Sequence, residues 1–142
     1  MTPKAAAERY IAFCEKMTPA DLDRLGDFCA PAIRFRDPFN EVTGLESYRR
    51  VLAKMFEDIG QPDFKVDGHA LEGDICYLRW RLSFRRKNGC REVIPGMSEV
   101  AFGPDGRATR HFDYWDAGQV YELVPLLDSF IRMVRRRLSV GP

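Results

Sequence analysis

Apolar side chains recur every three or four positions in three stretches near the start of the chain, which is the spacing of a buried helix face. The first stretch spans 4–17. A capping threonine and a proline open the second, over 18–31, and the next proline is expected to end it. The third spans 45–59, and its apolar face includes Met55 and Phe56. The pattern therefore predicts three helices.

A different period, in which every second residue is apolar, marks the strands. The segment before Pro38 alternates in this way, so that Phe35 and Asp37 share one face. Pro38 ends that strand because proline cannot donate a hydrogen bond to the ladder. Three further strand regions follow from Phe64 onward.

Tight turns join these later strands, and one face of each strand is apolar. The even positions of 76–84, among them Trp80, are expected to face the core. An Asn-Gly turn then leads to a strand whose inward set includes Ser98 and Val100. The pattern is that of an antiparallel meander.

The last strand places polar groups on what should be its inner face. His111, Asp113 and Trp115 alternate with residues of the other face, so an imidazole, a carboxylate and an indole stand together. Beyond them, 117–138 turns helical again, with an interruption at a proline and an apolar stripe beside four arginines.

Helices first, then a strand, a helix and a strongly alternating meander indicate an α+β fold, with one sheet curled around helices on its concave face. Such a fold encloses a pocket. Because compact domains usually have roughly 100 to 200 residues, the whole chain, 1–142, is predicted to be one domain. The segment 117–138 is expected to be a C-terminal helical extension of it.

Charge and hydropathy limit the partners. The 22 Lys and Arg residues against 21 Asp and Glu residues leave a net charge of +1, so neither nucleic acid nor an anionic membrane is expected as a partner. No apolar run approaches the roughly 18 residues that span a bilayer, and residues 1–16 lack the features of a signal peptide. A cytoplasmic protein is expected.

The chain also lacks the motifs of metal and nucleotide sites. Its four cysteines form no CxxC pair and are expected to be reduced, and with two histidines a metal cluster cannot be assembled locally. No glycine-rich nucleotide loop is present, so no metal and no cofactor are expected.

Several short motifs, taken with this order of elements, resemble one superfamily. They are Arg9-Tyr10-Ile11, Phe35-Arg36-Asp37-Pro38-Phe39, Gly44, Phe102-Gly103-Pro104-Asp105-Gly106-Arg107 and Tyr114-Trp115. On these residues the chain resembles the cone-shaped NTF2-like superfamily, in particular its SnoaL-like and ketosteroid isomerase-like branches. The resemblance implies a curved sheet wrapped around the N-terminal helices, with an interior apolar pocket.

The resemblance also implies catalytic roles. Asp37 falls where ketosteroid isomerases keep their carboxylate base, and Tyr10 falls where they keep an oxyanion-hole phenol. Their second oxyanion-hole group is a carboxylic acid held neutral, and its place is taken here by Ser98, whose hydroxyl can donate a hydrogen bond. The implied activity is that of a cofactor-independent isomerase or cyclase. Its substrate would be a small apolar carbonyl compound, steroid-like or polyketide-like.

The last strand adds two candidates to this site. The pocket tryptophan of the family matches Trp115, and Asp113 and His111 lie two and four residues back on the same strand face. Two carboxylates and an imidazole that face one apolar pocket suit general acid–base chemistry. The side chains expected to contact the substrate are Trp115, Phe35, Trp80, Val100, Met55 and Phe56.

Other interpretations of these residues stay open. Asp37 could simply end its strand by accepting from a nearby backbone amide, and His111 could be a core imidazole bonded to Asp113. The alternative function is a non-catalytic module that binds a small ligand or a protein. A third is an epoxide-hydrolase-like or dehydratase relative, in which two aspartates and an arginine would activate water. The strand pattern places Arg79 and Arg81 outward, which counts against this third function.

The resemblance further implies a homodimer, since relatives pair through the convex side of the sheet. The exposed arginines of the meander fit such a contact or a solvated face. The apolar stripe of the tail, which is expected to pack on its own domain or on the second copy, is formed by Leu127, Phe130, Ile131 and Val134.

Overall fold

The computed structural model describes residues 1–60 and 62–141. Its elements, in chain order, are helix α1 (Pro3–Lys16), a 3₁₀ helix (Pro19–Arg24), α2 (Leu25–Phe28), β1 (Cys29–Arg36), β2 (Glu41–Thr43), α3 (Leu45–Asp58), β3 (Asp63–Glu72), β4 (Ile75–Arg85), β5 (Arg91–Phe102), β6 (Ala108–Trp115), α4 (Gly118–Tyr121) and α5 (Leu127–Leu138). The six strands form one mixed sheet in the order β2-β1-β6-β5-β4-β3. The predicted α+β class is confirmed.

Helices α1 and α3 cover the inner face of the sheet. The side chain of Thr2 caps α1 by accepting from the Ala5 N–H, and Pro3 occupies the first helical position. The buried side of α1 includes Tyr10, and that of α3 includes Tyr48. These two predicted helices are confirmed, because the apolar spacing that revealed them is the spacing of the buried face.

The prediction for the second helix is wrong at its end. The chain forms the short 3₁₀ helix and the single turn α2, and β1 already begins at Cys29. Pro31 therefore lies inside a strand that has neighbours on both sides. The parallel pairing of β1 with β6 shifts register between Cys29 and Arg34, so Pro31 falls in the irregular stretch, where no ladder donor is needed.

The chain makes four strands after residue 62, one more than the three strand regions that the pattern predicted. The additional strand is β3, at the edge of the sheet, where Phe64 and Val66 are partly buried and no described side chain is fully buried. The alternation of β4 is confirmed, since Leu78 and Trp80 are buried while Arg79 between them is exposed. Gly89 and Gly106 supply the left-handed backbone, φ 86° and 82°, of the next two turns.

The tail forms α4 and α5, with the predicted interruption between them. Arg135 of α5 pairs with Asp116 and Glu122, which ties the helix to the end of β6. Leu127 and Phe130, from the apolar stripe, are exposed in the single chain. In the described part of the chain, no helix combines the length and the apolar character needed to cross a membrane.

Candidate functional site

An apolar cavity of about 510 Å³ lies between α3 and the inner face of the sheet. Seven aromatic side chains line it: Phe35, Phe39, Tyr48, Phe56, Phe64, Trp80 and Trp115. Asp37, His111 and Asp113 are among the polar groups of the lining. A cavity of this size and composition is typical of sites for small organic molecules.

A chain of hydrogen bonds runs beside the cavity from β4 to α1. The indole Nε1–H of Trp80 donates to Ser98 Oγ at 2.7 Å, and the Ser98 hydroxyl donates to Asp113 Oδ1 at 2.5 Å. The same Oδ1 lies 2.7 Å from Nε2 of His111. On the other side of that ring, Nδ1 lies 2.6 Å from the Tyr10 hydroxyl. Five residues from four elements are therefore connected.

The donors and acceptors of this chain determine where its protons lie. The Asp113 carboxylate can only accept, so His111 carries its proton on Nε2 and donates it to Asp113. Nδ1 is then an acceptor, and the Tyr10 hydroxyl donates to it. Burial raises the pKa of Tyr10 well above its usual range, so this phenol keeps its proton. Both ring nitrogens of His111 are therefore held by hydrogen bonds within the protein.

One oxygen of Asp113 is left for a ligand. Oδ1 already accepts from Ser98 and His111, whereas no residue in the described part of the chain donates to Oδ2. The Asp113 side chain is 19% exposed and lines the cavity. A carboxylate that is fixed through one oxygen, with the other free beside an apolar cavity, is arranged to take a proton from a bound molecule.

Asp37 also lines the cavity, but its own turn uses its carboxylate. Oδ1 accepts from the backbone N–H of Phe39 at 2.8 Å and of Asn40 at 2.7 Å. The side-chain amide of Asn40 donates to Oδ1 and to Oδ2, at 3.1 and 3.3 Å. The turn role that the sequence left open is therefore present in full. Of the two carboxylates, Asp113 is the one with an oxygen to which no described residue donates.

The structure brings most of the predicted site residues to the cavity. Those that line it are Asp37, Asp113, His111, Trp115, Phe35, Trp80, Met55 and Phe56. Tyr10 and Ser98 do not line it, and both of their hydroxyl protons are used inside the hydrogen-bond chain. Their expected role as direct oxyanion donors does not fit this geometry. Val100 is not in the lining either, because it is fully buried in the core that includes α1.

Tyr48, on the buried side of α3, is a cavity residue that was not among the predicted site residues. Among the described lining residues it is the one that carries a hydroxyl, and its ring stacks on Phe35 at 4.6 Å and lies 6.1 Å from that of His111. Burial raises the pKa of Tyr48 well above its usual range, so it stays a donor. The sequence could have revealed Tyr48 through its spacing of four and seven residues from Leu52 and Met55, since this spacing places all three on the helix face that meets the cavity.

The other charged groups of the described lining have partners in the protein: Glu15 accepts from the backbone N–H of Val66, and Lys54 pairs with Asp58. Cys14 is a free thiol whose pKa burial raises well above the usual range, so it is a poor nucleophile. No arginine belongs to the described lining, and Arg81 pairs with Asp67 away from it. Within residues 1–60 and 62–141, no three potential ligands come together to hold a metal ion.

Comparison with known proteins agrees with this architecture. A family model described as "SnoaL-like domain" matches residues 7–111, and no curated protein matches the chain. Three similar solved structures share 14–16% of their residues with it, an identity that shows the fold alone.

The first is an NTF2-like protein of unknown function from Burkholderia pseudomallei K96243, with 14% identity, coverage of 87% of this chain and 97% of that one, and a TM-score of 0.73. The second is a candidate SnoaL-like polyketide cyclase from Jannaschia sp. CCS1, with 16% identity, coverage of 83% and 88%, and a TM-score of 0.72. The third is TerC co-crystallised with polyporic acid, with 15% identity, coverage of 85% and 96%, and a TM-score of 0.72. The predicted cone-shaped fold is confirmed.

Proposed function

Since the chain belongs to the SnoaL-like domain family within the NTF2-like superfamily, we propose that it is a cofactor-independent enzyme of the isomerase or cyclase type. It moves a proton on a small apolar carbonyl compound held in the cavity. The observation that carries this proposal is the Asp113 carboxylate, which is fixed by Ser98 and His111 through Oδ1 and keeps Oδ2 free at the cavity wall.

The chemistry follows from that arrangement. Asp113 Oδ2 takes a proton from the carbon next to the substrate carbonyl, and the electron pair of the broken C–H bond forms an enolate. In a ketone with a neighbouring C=C bond, Asp113 returns the proton to the far carbon of the dienolate, which completes an isomerisation. In a cyclisation, the enolate carbon attacks a second carbonyl of the same molecule, and the alkoxide that forms takes the proton from Asp113. The Tyr48 phenol, rather than Tyr10, donates to the developing oxygen charge, because it lines the cavity and keeps its proton.

The cavity supports a substrate with several fused or linked rings. Its volume of about 510 Å³ and its aromatic lining favour flat apolar molecules over sugars or nucleotides. The co-crystallisation of the similar protein TerC with polyporic acid is consistent with this class. We therefore keep a steroid-like or polyketide-like ketone as the proposed substrate.

Exchange of a ketone's α-protons for deuterium tests the proposal without knowledge of the natural substrate. The two-ring ketone 2-tetralone is incubated in D2O with the wild type, with Asp113→Asn and with the matched control Asp37→Asn, and exchange is followed by NMR. The wild type is expected to accelerate exchange. Asp113→Asn should lose at least about 100-fold of that acceleration, the usual contribution of a general base. Asp37→Asn should keep most of it, since asparagine still accepts from the turn.

Two results would change the assignment. If Asp37→Asn lost exchange and Asp113→Asn kept it, the base would be Asp37. If the wild type bound 2-tetralone without accelerating its exchange, the binding module would be the better account. That alternative draws on one observation, namely that Trp80, Ser98 and His111 are satisfied within the protein and could form a purely structural polar core.

We also propose that two copies pair through the outer face of the sheet. Met97 lies there between Arg79 and Tyr114 in the strand register, and both Met97 and Tyr114 are about half-exposed in the single chain. Apolar side chains in a row on an open sheet face are a common basis for association. The exposed stripe on α5 offers a second apolar surface that a partner copy could cover.

A further inference from the structure

Gly96 lies directly under the indole of Trp80. The register of β4 and β5 pairs these two residues, and Trp80 folds its ring over the glycine backbone. A Cβ added at Gly96 would stand 2.4 Å from both Cη2 and Cζ2 of the indole, far inside van der Waals contact. Gly96 has no left-handed backbone. The glycine is therefore required for the space that it leaves, and not for its conformational freedom.

Two further contacts hold the indole in this place. Its Nε1–H donates to Ser98 Oγ at 2.7 Å, and the Phe64 ring packs beside it with centroids 5.3 Å apart. Trp80 is only 4% exposed, and the small surface that it keeps belongs to the cavity wall. The ring is thus drawn back against β5 rather than projecting into the cavity.

We infer that Gly96 and Trp80 together determine how large a ligand the cavity accepts, with Gly96 as the specificity-determining position. This inference rests on the proposed function in one respect only, the flat ketone class of the ligand. A Cβ at position 96 would point from β5 into the indole, so the ring must move away from that strand. Because Trp80 lines the cavity, we expect the displaced ring to enter it. The indole would then occupy space that the far end of a long ligand needs, while a short ligand would still fit.

Binding of two ketones of different length tests this inference. Dissociation constants of 2-tetralone, with two rings, and estrone, with four, are measured by calorimetry for the wild type, Gly96→Ala, Trp80→Leu and the double variant. Gly96→Ala is expected to weaken estrone binding at least about tenfold, the usual effect of one misplaced methyl group in an apolar pocket, and to leave 2-tetralone nearly unchanged. The double variant should recover estrone binding, since leucine frees the space that the displaced indole takes.

A matched control separates this effect from a general loss of stability. Gly68→Ala introduces the same methyl group in β3, where the nearest heavy atom is the end of the Arg79 side chain at 3.6 Å. It should bind both ketones as the wild type does. If Gly96→Ala does not fold, Trp80→Leu alone tests the inference. It should lower the dissociation constant of estrone relative to that of 2-tetralone, because leucine leaves more space for the longer ligand.

Other outcomes overturn the inference. If Gly96→Ala bound each ketone with the same dissociation constant as the wild type, the indole would not move into the space of the ligand. Equal weakening of both, without recovery in the double variant, would make Gly96 a structural residue only. The proposed function fails separately, by an absence of deuterium exchange in a ketone that binds. A wild type that binds neither ketone overturns both proposals.

Discussion

Replacing Tyr10 with phenylalanine should destabilise the protein more than removing a tyrosine hydroxyl at the protein surface does. Tyr10 is 3% and His111 6% exposed, so the hydrogen bond between the phenol and Nδ1 is shielded from bulk solvent. The change removes the bond and leaves a buried nitrogen without a donor, which costs about 1–3 kcal/mol. Tyr114→Phe is the matched control, because its hydroxyl accepts from Arg36 at 2.8 Å but the residue is about half-exposed. Its cost should stay below about 0.5 kcal/mol.

Urea unfolding followed by circular dichroism measures both variants. For Tyr10→Phe, the urea concentration at the midpoint should fall, while the dependence of the unfolding free energy on urea concentration stays unchanged. This combination indicates a change in stability rather than in the surface exposed on unfolding. A loss of about 2 kcal/mol corresponds to a fall in Tm of roughly 6 °C for a chain of this size. Equal losses for Tyr10→Phe and Tyr114→Phe would refute the reasoning, since the hydrogen bond to His111 would then contribute no more than one in water.

Three further predictions concern other parts of the same structure. Ser98→Ala leaves the indole N–H of Trp80 without its partner, so one of the two indole signals in an amide-proton NMR spectrum should shift and exchange faster with solvent, while the other serves as the control. Burial raises the pKa of the Cys29 and Cys76 thiols to about 12 and about 11. As the pH rises above about 9, these thiols ionise in the unfolded chain before they ionise in the folded protein. The free energy of unfolding should therefore fall as the pH rises from about 9 toward the folded-state pKa values. Urea midpoints that stay constant from pH 8.5 to 11 would contradict that claim. Light scattering should report a dimer of the wild type at micromolar concentration. Met97→Glu, on the outer sheet face, should shift the equilibrium toward the 16.4 kDa monomer. A wild type that is monomeric at high micromolar concentration would rule the pairing out.

Strand alternation predicted the inner face of β4 most clearly, because the two faces of that strand differ sharply in chemistry. Leu78 and Trp80 alternate with charged or exposed residues, and the same logic puts His111 and Asp113 on one side of β6. The prediction failed where that contrast is weak or where pairing overrides local chemistry. β3 is an edge strand whose second half is exposed on both faces, and Pro31 lies in a strand because an irregular register removes the need for its donor.

The hydrogen-bond chain could not be predicted from any local pattern. Tyr10 and His111 are 101 positions apart in sequence, and their contact depends on how α1 lies across the sheet. Ser98 meets Asp113 only because β5 and β6 pair in a register that sets these two residues opposite each other. A register shifted by one residue would turn Ser98 to the other face and break the chain at its centre.

The two aspartates show why residue type and strand face are not enough to assign a base. Asp37 and Asp113 both line the cavity, as their alternation suggested. They differ in what their oxygens already accept: the turn after β1 donates to both oxygens of Asp37, whereas Asp113 receives both of its hydrogen bonds on a single oxygen. A base needs a free lone pair directed at the substrate as well as a position in the cavity. In this chain Oδ2 of Asp113 has the free lone pair. Its Oδ1 is held by Ser98 of β5 and by His111, and Tyr10 of α1 in turn holds the imidazole.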